Sequence, residues 1–257
     1  MRVQSVERAV AILNELSASR TELGVTQLGE RLDLHKRTVH RLLASLVQGG
    51  LVERDPRSRK YRLGIRLVEL GNTVLSTRGL PQVALPFLRY LSDAVEEVTY
   101  LAVRDGDQIL NILQVPGPQL VQSVKWLGRG PLHCTSTGKI FLAHMPEDEL
   151  KPLLDKELPR MTVNTMTDPT DLKHELEHVR EQGFAAAFEE HQEGINAIAA
   201  PITKPDGTAM AAVGVAGPSY RFTRDRAMSF TDVVRSIARE VSQQLQGLPS
   251  GARDFYV

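Results

Sequence analysis

The segment LDLHKRTVHRLLASLVQGG, residues 32–50, has the pattern of an amphipathic helix with a basic start. Its apolar side chains recur at intervals of three and four, which predicts one buried helical face. The Gly49-Gly50 pair predicts the end of the helix. The predicted buried positions are Val39, Leu42, Leu43, Leu46 and Val47.

Two further helices are predicted upstream of this segment. Ser5 is expected to cap the first helix, and Thr26 is expected to cap a short second helix, TQLGERL, residues 26–32. Two short helices joined by a tight turn, the second basic at its start, are typical of a helix-turn-helix. The predicted buried face of the first helix consists of Val6, Val10, Leu13 and Leu16.

The next stretch, LVERDPRSRKYRLG at residues 51–64, predicts a β-hairpin, because two strand-like pieces flank the turn sequence DPRS. Its tip carries Arg57, Arg59 and Lys60. Helix, helix, glycine stop and basic hairpin follow one another in the order of a winged helix-turn-helix. We therefore expect residues 1–63 to bind double-stranded DNA, in preference to forming a solvated surface helix and loop.

Two kinds of DNA contact are expected. Side chains at the start of the helix in residues 32–50 would reach base edges in the major groove, with Arg37 or Arg41 gripping a guanine. Gln27 and the hairpin residues Arg57, Arg59 and Lys60 would instead hold phosphates, which set affinity but carry no sequence information. The predicted base-contacting residues are Lys36, Arg37, Thr38, His40 and Arg41.

Composition agrees with a basic DNA-binding part and excludes several other classes of protein. Residues 1–63 hold 12 Lys and Arg against 7 Asp and Glu, a net of +5, whereas the remainder holds 19 against 24, a net of −5. A single cysteine excludes an internal disulfide framework and a multi-cysteine zinc site. No apolar run approaches the roughly 20 residues of a membrane span, and no signal peptide is recognisable. A cytoplasmic protein without a membrane partner is expected.

Residues 63–81, LGIRLVELGNTVLSTRGLP, predict a linker helix whose apolar side chains cover too much of its circumference for a lone surface helix. Such a helix is expected to pack, and dimerisation is favoured over a simple spacer. The predicted organisation is residues 1–63, a linker helix at 64–79, and a second domain at 80–257. The apolar positions are Leu67, Val68, Leu70, Val74 and Leu75.

In residues 80–257 hairpin signals alternate with helical patterns. Residues 99–115 predict two strands around a DGD turn, and residues 184–202 and 209–217 predict further strands joined by KPDG. Another strand is predicted at 120–128. Helices are expected at 86–97 and from Thr223 onward, the latter with an apolar face. This arrangement predicts an α+β domain built on an antiparallel sheet. The face from Thr223 onward consists of Phe230, Val234, Ile237, Val241 and Leu245.

The segment PLHCTSTGK, residues 131–139, contains residue types found in three kinds of chemical site: a phosphate loop, a cysteine nucleophile and a metal site. A phosphate loop is rejected because seven residues separate Gly130 from Gly138, where that motif has four between its glycines, and because Ile140 follows Lys139 where a hydroxyl residue should be. A Cys134–His133 nucleophile is disfavoured because sequential neighbours in an extended chain point apart, so Cys134 is expected to be a small buried residue. A metal site is disfavoured too, since the Glu189–His191 cluster reads as an exposed strand end. Its possible ligands are His133, Cys134, Glu189, Glu190 and His191.

The remaining interpretation of this segment uses its backbone. Thr135 or Ser136 can cap a helix running through GKIFLAHM, and a helix start binds anions through unpaired N–H groups and the helix dipole. An enzyme with a DNA-binding appendage, using His133 and Cys134 or the Glu189–His191 cluster, stays as the alternative function.

Several motifs together resemble the IclR family of bacterial transcriptional regulators, over nearly the whole chain. They are SVERAVAILNEL (5–16), RTVHRLLASLVQGGLV (37–52), YRLG (61–64), LGRGPLHCTSTGKIFLA (127–143), GINAIAAPI (194–202) and AVGVAGP (212–218). The resemblance implies a winged helix-turn-helix domain, a linker helix and a C-terminal GAF-like effector-binding domain. It also implies dimers that pair into tetramers on operator DNA, no cofactor, and repression more often than activation.

The resemblance also implies a site for a small organic or aromatic acid beside the helix that begins in CTSTGK. Members that bind small carboxylates carry a cysteine in the position of Ala197 and Ser-x-Ser where this chain has Gly214-Val215-Ala216. The loss of those polar groups predicts a roomier, less polar pocket for a bulky or aromatic ligand. The implied pocket residues are Ser136, Thr137, Gly138, Ala187, Phe188, Ala197, Gly214 and Ala216.

Overall fold

The computed structural model describes residues 3–19, 21–77, 79–118 and 128–247. The chain forms two compact units, Met1–Leu75 and Ser76–Val257. The strand predicted at 120–128 lies outside the described residues except for Gly128, as do the side chains of Val74 and Leu75. No helix in the described part of the chain combines the length and apolar character that a bilayer span requires.

The first unit is a helical domain with a small hairpin. Its elements are α1 (Gln4–Ala18), α2 (Val25–Leu32), α3 (Lys36–Gln48), β1 (Val52–Arg54), β2 (Tyr61–Leu63) and α4 (Arg66–Thr77), the last reaching past Leu75. β1 and β2 pair antiparallel, and Leu23 pairs with Tyr61, which ties the hairpin to the chain before α2. The helix-turn-helix and the hairpin predicted from the sequence are therefore present.

Four details predicted for this unit are wrong. α1 starts one residue before Ser5 and has no side-chain cap, and Val6 and Val10 are 58% and 49% exposed because Ile12 and Leu16 form the buried face. α2 starts at Val25, so Thr26 lies inside it. On α3, Val47 is 38% exposed, whereas the other four predicted positions are buried.

The second unit contains an antiparallel six-stranded sheet of order β5-β4-β3-β8-β7-β6. The hairpins predicted around 105–107 and 204–207 are confirmed as β3–β4 and β7–β8. The strands are β3 (Val98–Asp105), β4 (Gln108–Val115), β5 (Gly128–Pro131), β6 (Ala185–Phe188), β7 (Ile195–Thr203) and β8 (Ala209–Pro218). The α+β fold class is confirmed.

Helices cover both faces of this sheet. They are α5 (Leu80–Val95), α6 (Ser136–Ala143), α7 (Glu147–Leu154), α8 (Pro169–Gln182), α9 (Arg224–Ser229) and α10 (Thr231–Gln246). The single helix predicted from Thr223 is two helices, because the chain leaves helical geometry at Phe230. Thr223 does cap the first of them by accepting the N–H of Arg226. Neither α7 nor α8 was predicted.

The two faces of the sheet differ in side-chain size. Large aliphatic residues such as Leu101, Ile198 and Val213 belong to the core packed on α5 and α10. Their neighbours on the opposite face are small, as in Ala102 and Ala199, and α6 packs there together with α8. Because side chains alternate along a strand, this small-residue face continues two residues further along each strand.

Candidate functional site

The start of α3 is capped by a side chain that sequence analysis missed. His35 Nδ1 accepts the N–H of Arg37 at 3.2 Å, and the His35 carbonyl accepts the N–H of Thr38 at 2.8 Å. An imidazole nitrogen that accepts a hydrogen bond carries no proton, so the ring proton of His35 is on Nε2. The cap fixes the direction in which the basic first turn of α3 leaves the preceding loop.

All five predicted base-contacting residues line one surface groove around this helix start. The same groove is also lined by Val25 and Thr26 from α2 and by His35 and Ala44. Val39, on the other side of α3, is buried in the core of the unit. The structure therefore brings together Lys36, Arg37, Thr38, His40 and Arg41.

The hairpin tip presents its three cationic side chains to solvent. Asp55 Oδ1 accepts the N–H groups of Arg57 and Ser58 at 2.8 and 2.6 Å, and the Ser58 bond is the main reason that the pKa of Asp55 is lowered. Arg59 has a φ of +57°, in the left-handed region. Gln27 is exposed, and its Oε1 accepts the N–H of Gly24 at 2.9 Å, so this side chain helps cap α2.

The α6 start has a buried hydroxyl cap. Thr135 Oγ1 donates to the carbonyl of Pro131 at 2.7 Å and accepts the N–H of Gly138 at 3.1 Å, so Thr135 and not Ser136 is the cap. A Cβ on Gly138 would lie 2.2 Å from the Leu132 carbonyl oxygen, which explains the glycine. The N–H of Gly138 donates to the Thr135 cap. The N–H groups of Ser136 and Thr137 have no carbonyl partner within the helix, because they lie in its first turn.

Tyr100, which sequence analysis did not single out, lies beside this helix start. Its hydroxyl is 3.2 Å from Ser136 Oγ, and burial raises the pKa of the phenol to about 12. Tyr100 is the β3 partner of Gly214 on β8, and a Cβ on Gly214 would lie 2.3 Å from the tyrosine Cζ. The expectation of a roomier pocket is wrong at Gly214, because the tyrosine ring occupies that space.

Most of the other implied pocket residues lie on the same small-residue face. Ala197 and Ala216 form a small buried cluster with Tyr100 and Ile195, and Ala187 is the β6 partner of Ala197. Phe188 does not join them. It is the next residue on β6, so its ring lies on the opposite face of the sheet, under the Arg224 guanidinium at 4.3 Å from the ring centroid.

The lysine of TSTGK is buried and paired. Lys139 is 1% exposed, and its Nζ donates to Glu190 Oε1 at 2.7 Å, to Glu175 Oε1 at 3.2 Å and to the Ala186 carbonyl at 3.0 Å. Burial raises the pKa of Glu190 above its usual value, although Lys139 opposes the shift. Glu190 is therefore not at an exposed strand end as expected, but inside the unit.

Cys134 is fully buried, as expected, and its surroundings disfavour a thiolate. Burial raises the pKa of the thiol to about 12, and the Glu190 carboxylate adds to the shift. Its Sγ is 3.9 Å from His191 Nδ1, while His133 Nε2 donates to the Pro159 carbonyl at 3.0 Å. Burial lowers the pKa of both histidines. No cluster of three or more His, Cys, Asp or Glu side chains suited to a metal occurs among the described residues.

Two family profiles match the chain. "IclR helix-turn-helix domain" matches residues 5–56, and "Bacterial transcriptional regulator IclR C-terminal" matches residues 72–243, which is more than half of the chain. The chain belongs to the IclR family. Its DNA-binding unit and its C-terminal effector domain correspond to these two profiles.

Other IclR-family members resemble the chain along almost its full length. The HTH-type transcriptional regulator KdgR of Dickeya chrysanthemi is 33% identical over 95% of this chain and 80% of its own length. The HTH-type transcriptional repressor AllR of Escherichia coli K12 is 34% identical over 94% of this chain and 90% of its own. These relatives are regulators, and this IclR-family protein is a DNA-binding transcriptional regulator, not an enzyme.

A solved IclR homologue shows a ligand in this architecture. The Microbacterium hydrocarbonoxydans homologue, complexed with 4-hydroxybenzoate, superposes with a TM-score of 0.83 at 29% identity, covering 95% of this chain and 100% of that chain. Ligand binding is thus established for a protein of the same family and fold.

Proposed function

We propose that this IclR-family protein is a cytoplasmic repressor of transcription whose second unit binds a small organic or aromatic acid and thereby changes its affinity for operator DNA. The observation that carries the proposal is the buried start of α6. Ser136 and Thr137 in its first turn are buried, and α6 packs on β7 and β8 at the small-residue face of the sheet. The repressor name of AllR and the 4-hydroxybenzoate complex of the Microbacterium homologue support the two parts of the proposal.

The proposed DNA interface consists of the α3 groove and the hairpin tip. Arg37 and Arg41 read base edges, and Arg57, Arg59 and Lys60 hold phosphates together with the exposed Gln27. We expect protomers to pair as dimers, and dimers of dimers, through α4, where Val68 and Leu70 are 54% and 48% exposed. Exposed apolar side chains in this number on one helix are costly unless a partner covers them. Sedimentation of the wild type and of Val68→Glu tests the pairing.

The two classes of DNA contact can be separated by their salt dependence. Arg59→Asn removes a charge while tolerating the positive φ at this position, so it should weaken binding to all DNA and reduce the slope of log K against log salt by about 0.9. Arg37→Ala should instead reduce discrimination between operator and random DNA, by about 1–3 kcal/mol. An Arg59 loss confined to one sequence would contradict its assignment to phosphate.

The whole proposal is tested by footprinting the protein on the DNA upstream of its own gene, with and without a panel of organic acids. We expect protection of a discrete site and a change in its midpoint with at least one acid. A regulator should keep operator binding in Cys134→Ser, whereas an enzyme that used this thiol would lose turnover. A ligand affects DNA affinity only if it binds the two states of the protein with different affinities.

A further inference from the structure

We propose that Tyr100 determines which effectors this protein accepts, by placing a hydroxyl group beside Ser136 that binds the carboxylate of the effector. The inference rests on the proposed function, since it names the recognition chemistry of that same site. It concerns a residue of β3, whereas the resemblance in sequence implied residues of α6, β6, β7 and β8 only.

Tyr100 reaches the start of α6 from the neighbouring strand β3. Tyr100 is 4% exposed, and its hydroxyl lies 3.2 Å from Ser136 Oγ in the first turn of α6. The ring can reach that point because its partner on β8 is Gly214. Any side chain there would start 2.3–2.6 Å from the outer atoms of the ring. Position 214 thus has no side-chain hydroxyl, and Tyr100 of the neighbouring strand β3 supplies one instead.

Further hydrogen-bond donors belong to the first turn of α6, beside the Tyr100 hydroxyl. Ser136 and Thr137 contribute N–H groups that precede the first acceptor of the helix. Thr137 Oγ1 is buried, with the residue 1% exposed, and has no hydrogen-bond partner in the described part of the chain. A buried hydroxyl without a partner is costly, and an incoming acceptor removes that cost. These groups all belong to the first turn of α6, which the Tyr100 hydroxyl contacts at Ser136.

The hydrogen-bond donors at the start of α6 carry no uncompensated charge. The surrounding donors are neutral hydroxyl and amide groups, and Lys139 in the same helix points its Nζ to Glu190 and Glu175, which compensate it. With a phenol pKa of about 12, Tyr100 keeps its proton at all physiological pH values and remains a donor. Neutral donors at a helix start suit a carboxylate, which accepts several hydrogen bonds through two oxygens. The apolar remainder of the ligand would lie against Ala197 and Ala216.

The test begins with thermal-shift and calorimetric binding of benzoate, 4-hydroxybenzoate, pyruvate and a wider panel of carboxylates to the wild type. For every acid that binds, Tyr100→Phe should weaken binding about tenfold, because one hydrogen bond to a charged group is lost. The methyl ester of the same acid should be affected less than threefold or not at all. Tyr90→Phe, at a tyrosine that is 62% exposed in α5, is the matched control and should bind like the wild type.

A second set of variants covers the case in which single changes disturb folding. Gly214→Ser should lower the melting temperature and acid binding because its Cβ meets the Tyr100 ring. Adding Tyr100→Leu should recover most of the melting temperature and shift preference toward acids with bulkier apolar parts. If a wild-type ligand binds equally well to Tyr100→Phe, the inference is wrong while the proposed function stands. If no acid binds the wild type, the effector assignment fails and the inference fails with it.

Discussion

The starts of α3 and α6 use the same backbone device in opposite surroundings. In α3 the His35 side chain accepts the N–H of Arg37, and in α6 the Thr135 side chain accepts the N–H of Gly138. The first turn of α3 is exposed and surrounded by cations. That of α6 is buried, with the hydroxyls of Tyr100 and Ser136 beside it, and its cation Lys139 is paired with Glu190 and Glu175.

This difference follows from the cost of burying charge. At the surface a cation keeps most of its hydration and attracts phosphates over a distance of about 8–10 Å, the screening length at moderate salt. Inside a domain an unpaired cation loses its hydration and destabilises the fold. A polyanion is therefore met by arginine and lysine outside, and a single small anion by hydrogen-bond donors inside. Four sets of measurements, taken from the largest expected effect to the smallest, test this contrast between the two helix starts.

The largest effect is expected from Lys139, the one cation of the first turns of α6. Lys139→Met should cost about 3–5 kcal/mol of unfolding free energy, because it leaves the Glu190 carboxylate buried without its partner. Urea unfolding measures the loss. Adding Glu190→Gln should recover much of it, since the uncompensated charge is then gone. Lys173→Met, which removes an exposed pair with Glu147, should change stability by less than about 1 kcal/mol.

The two caps should differ in magnitude and in what they affect. Thr135→Val removes both hydrogen bonds of a buried hydroxyl and should cost about 2 kcal/mol, whereas Thr135→Ser should be nearly neutral. His35→Ala removes an exposed cap and should cost about 1 kcal/mol or less. It should weaken operator binding while leaving acid binding unchanged. Equal costs at the two positions in urea unfolding would contradict the contrast between buried and exposed starts.

A pH effect should arise from the buried histidines next to α6. The pKa of His133 is lowered by burial, so the unfolded chain binds a proton more readily than the folded one. Stability associated with His133 is therefore present above its ordinary pKa of 6.5 and is lost as pH falls through the lowered value. The slope is at most about 1.4 kcal/mol per pH unit. The variant His133→Gln keeps a donor for the Pro159 carbonyl. Its free energy of unfolding should fall less between pH 7.5 and 5.5 than that of the wild type.

The smallest effect is expected at Cys134. A thiol with a pKa of about 12 is almost entirely protonated at pH 8, and its side chain is buried. The native protein should therefore react with a thiol reagent at the rate at which the second unit opens, and addition of denaturant should release the full reactivity. Rapid modification of the folded protein at pH 8 would mean that the start of α6 is less closed than described.

Sequence predicted the periodic parts of the fold well. A helical stripe followed by a glycine pair predicted α3, with Val39, Leu42, Leu43 and Leu46 buried. The DGD and KPDG turns predicted two hairpins. The pattern failed where burial does not follow it. Val6 and Val10 have the spacing of a core face but are exposed, whereas Leu16 is buried as predicted together with Ile12, which was not predicted. Phe230 fits an apolar stripe yet marks a break between two helices.

The candidate site was predictable only where it is local in sequence. The cap at Thr135 could be identified because the N–H that it accepts lies three residues away. The cationic start of α3 could be identified because its side chains are close in sequence. Tyr100 and Gly214 are brought together by sheet register, and Lys139 and Glu190 by a turn after β6. No spacing rule signals either pair. A glycine in the middle of a predicted strand was the one available hint, since it indicates the close approach of another group.

The small-residue face of the sheet has a consequence for how such proteins diversify. Alanine at positions 197 and 216 keeps the helix close to the strands without committing the surface to one chemistry. Exchanging one of them for serine, cysteine or threonine adds a reactive or polar atom at the centre of the domain and leaves the opposite, aliphatic face untouched. The chemistry of effector binding can thus change by a single side-chain atom while the DNA-binding helix α3 is unchanged.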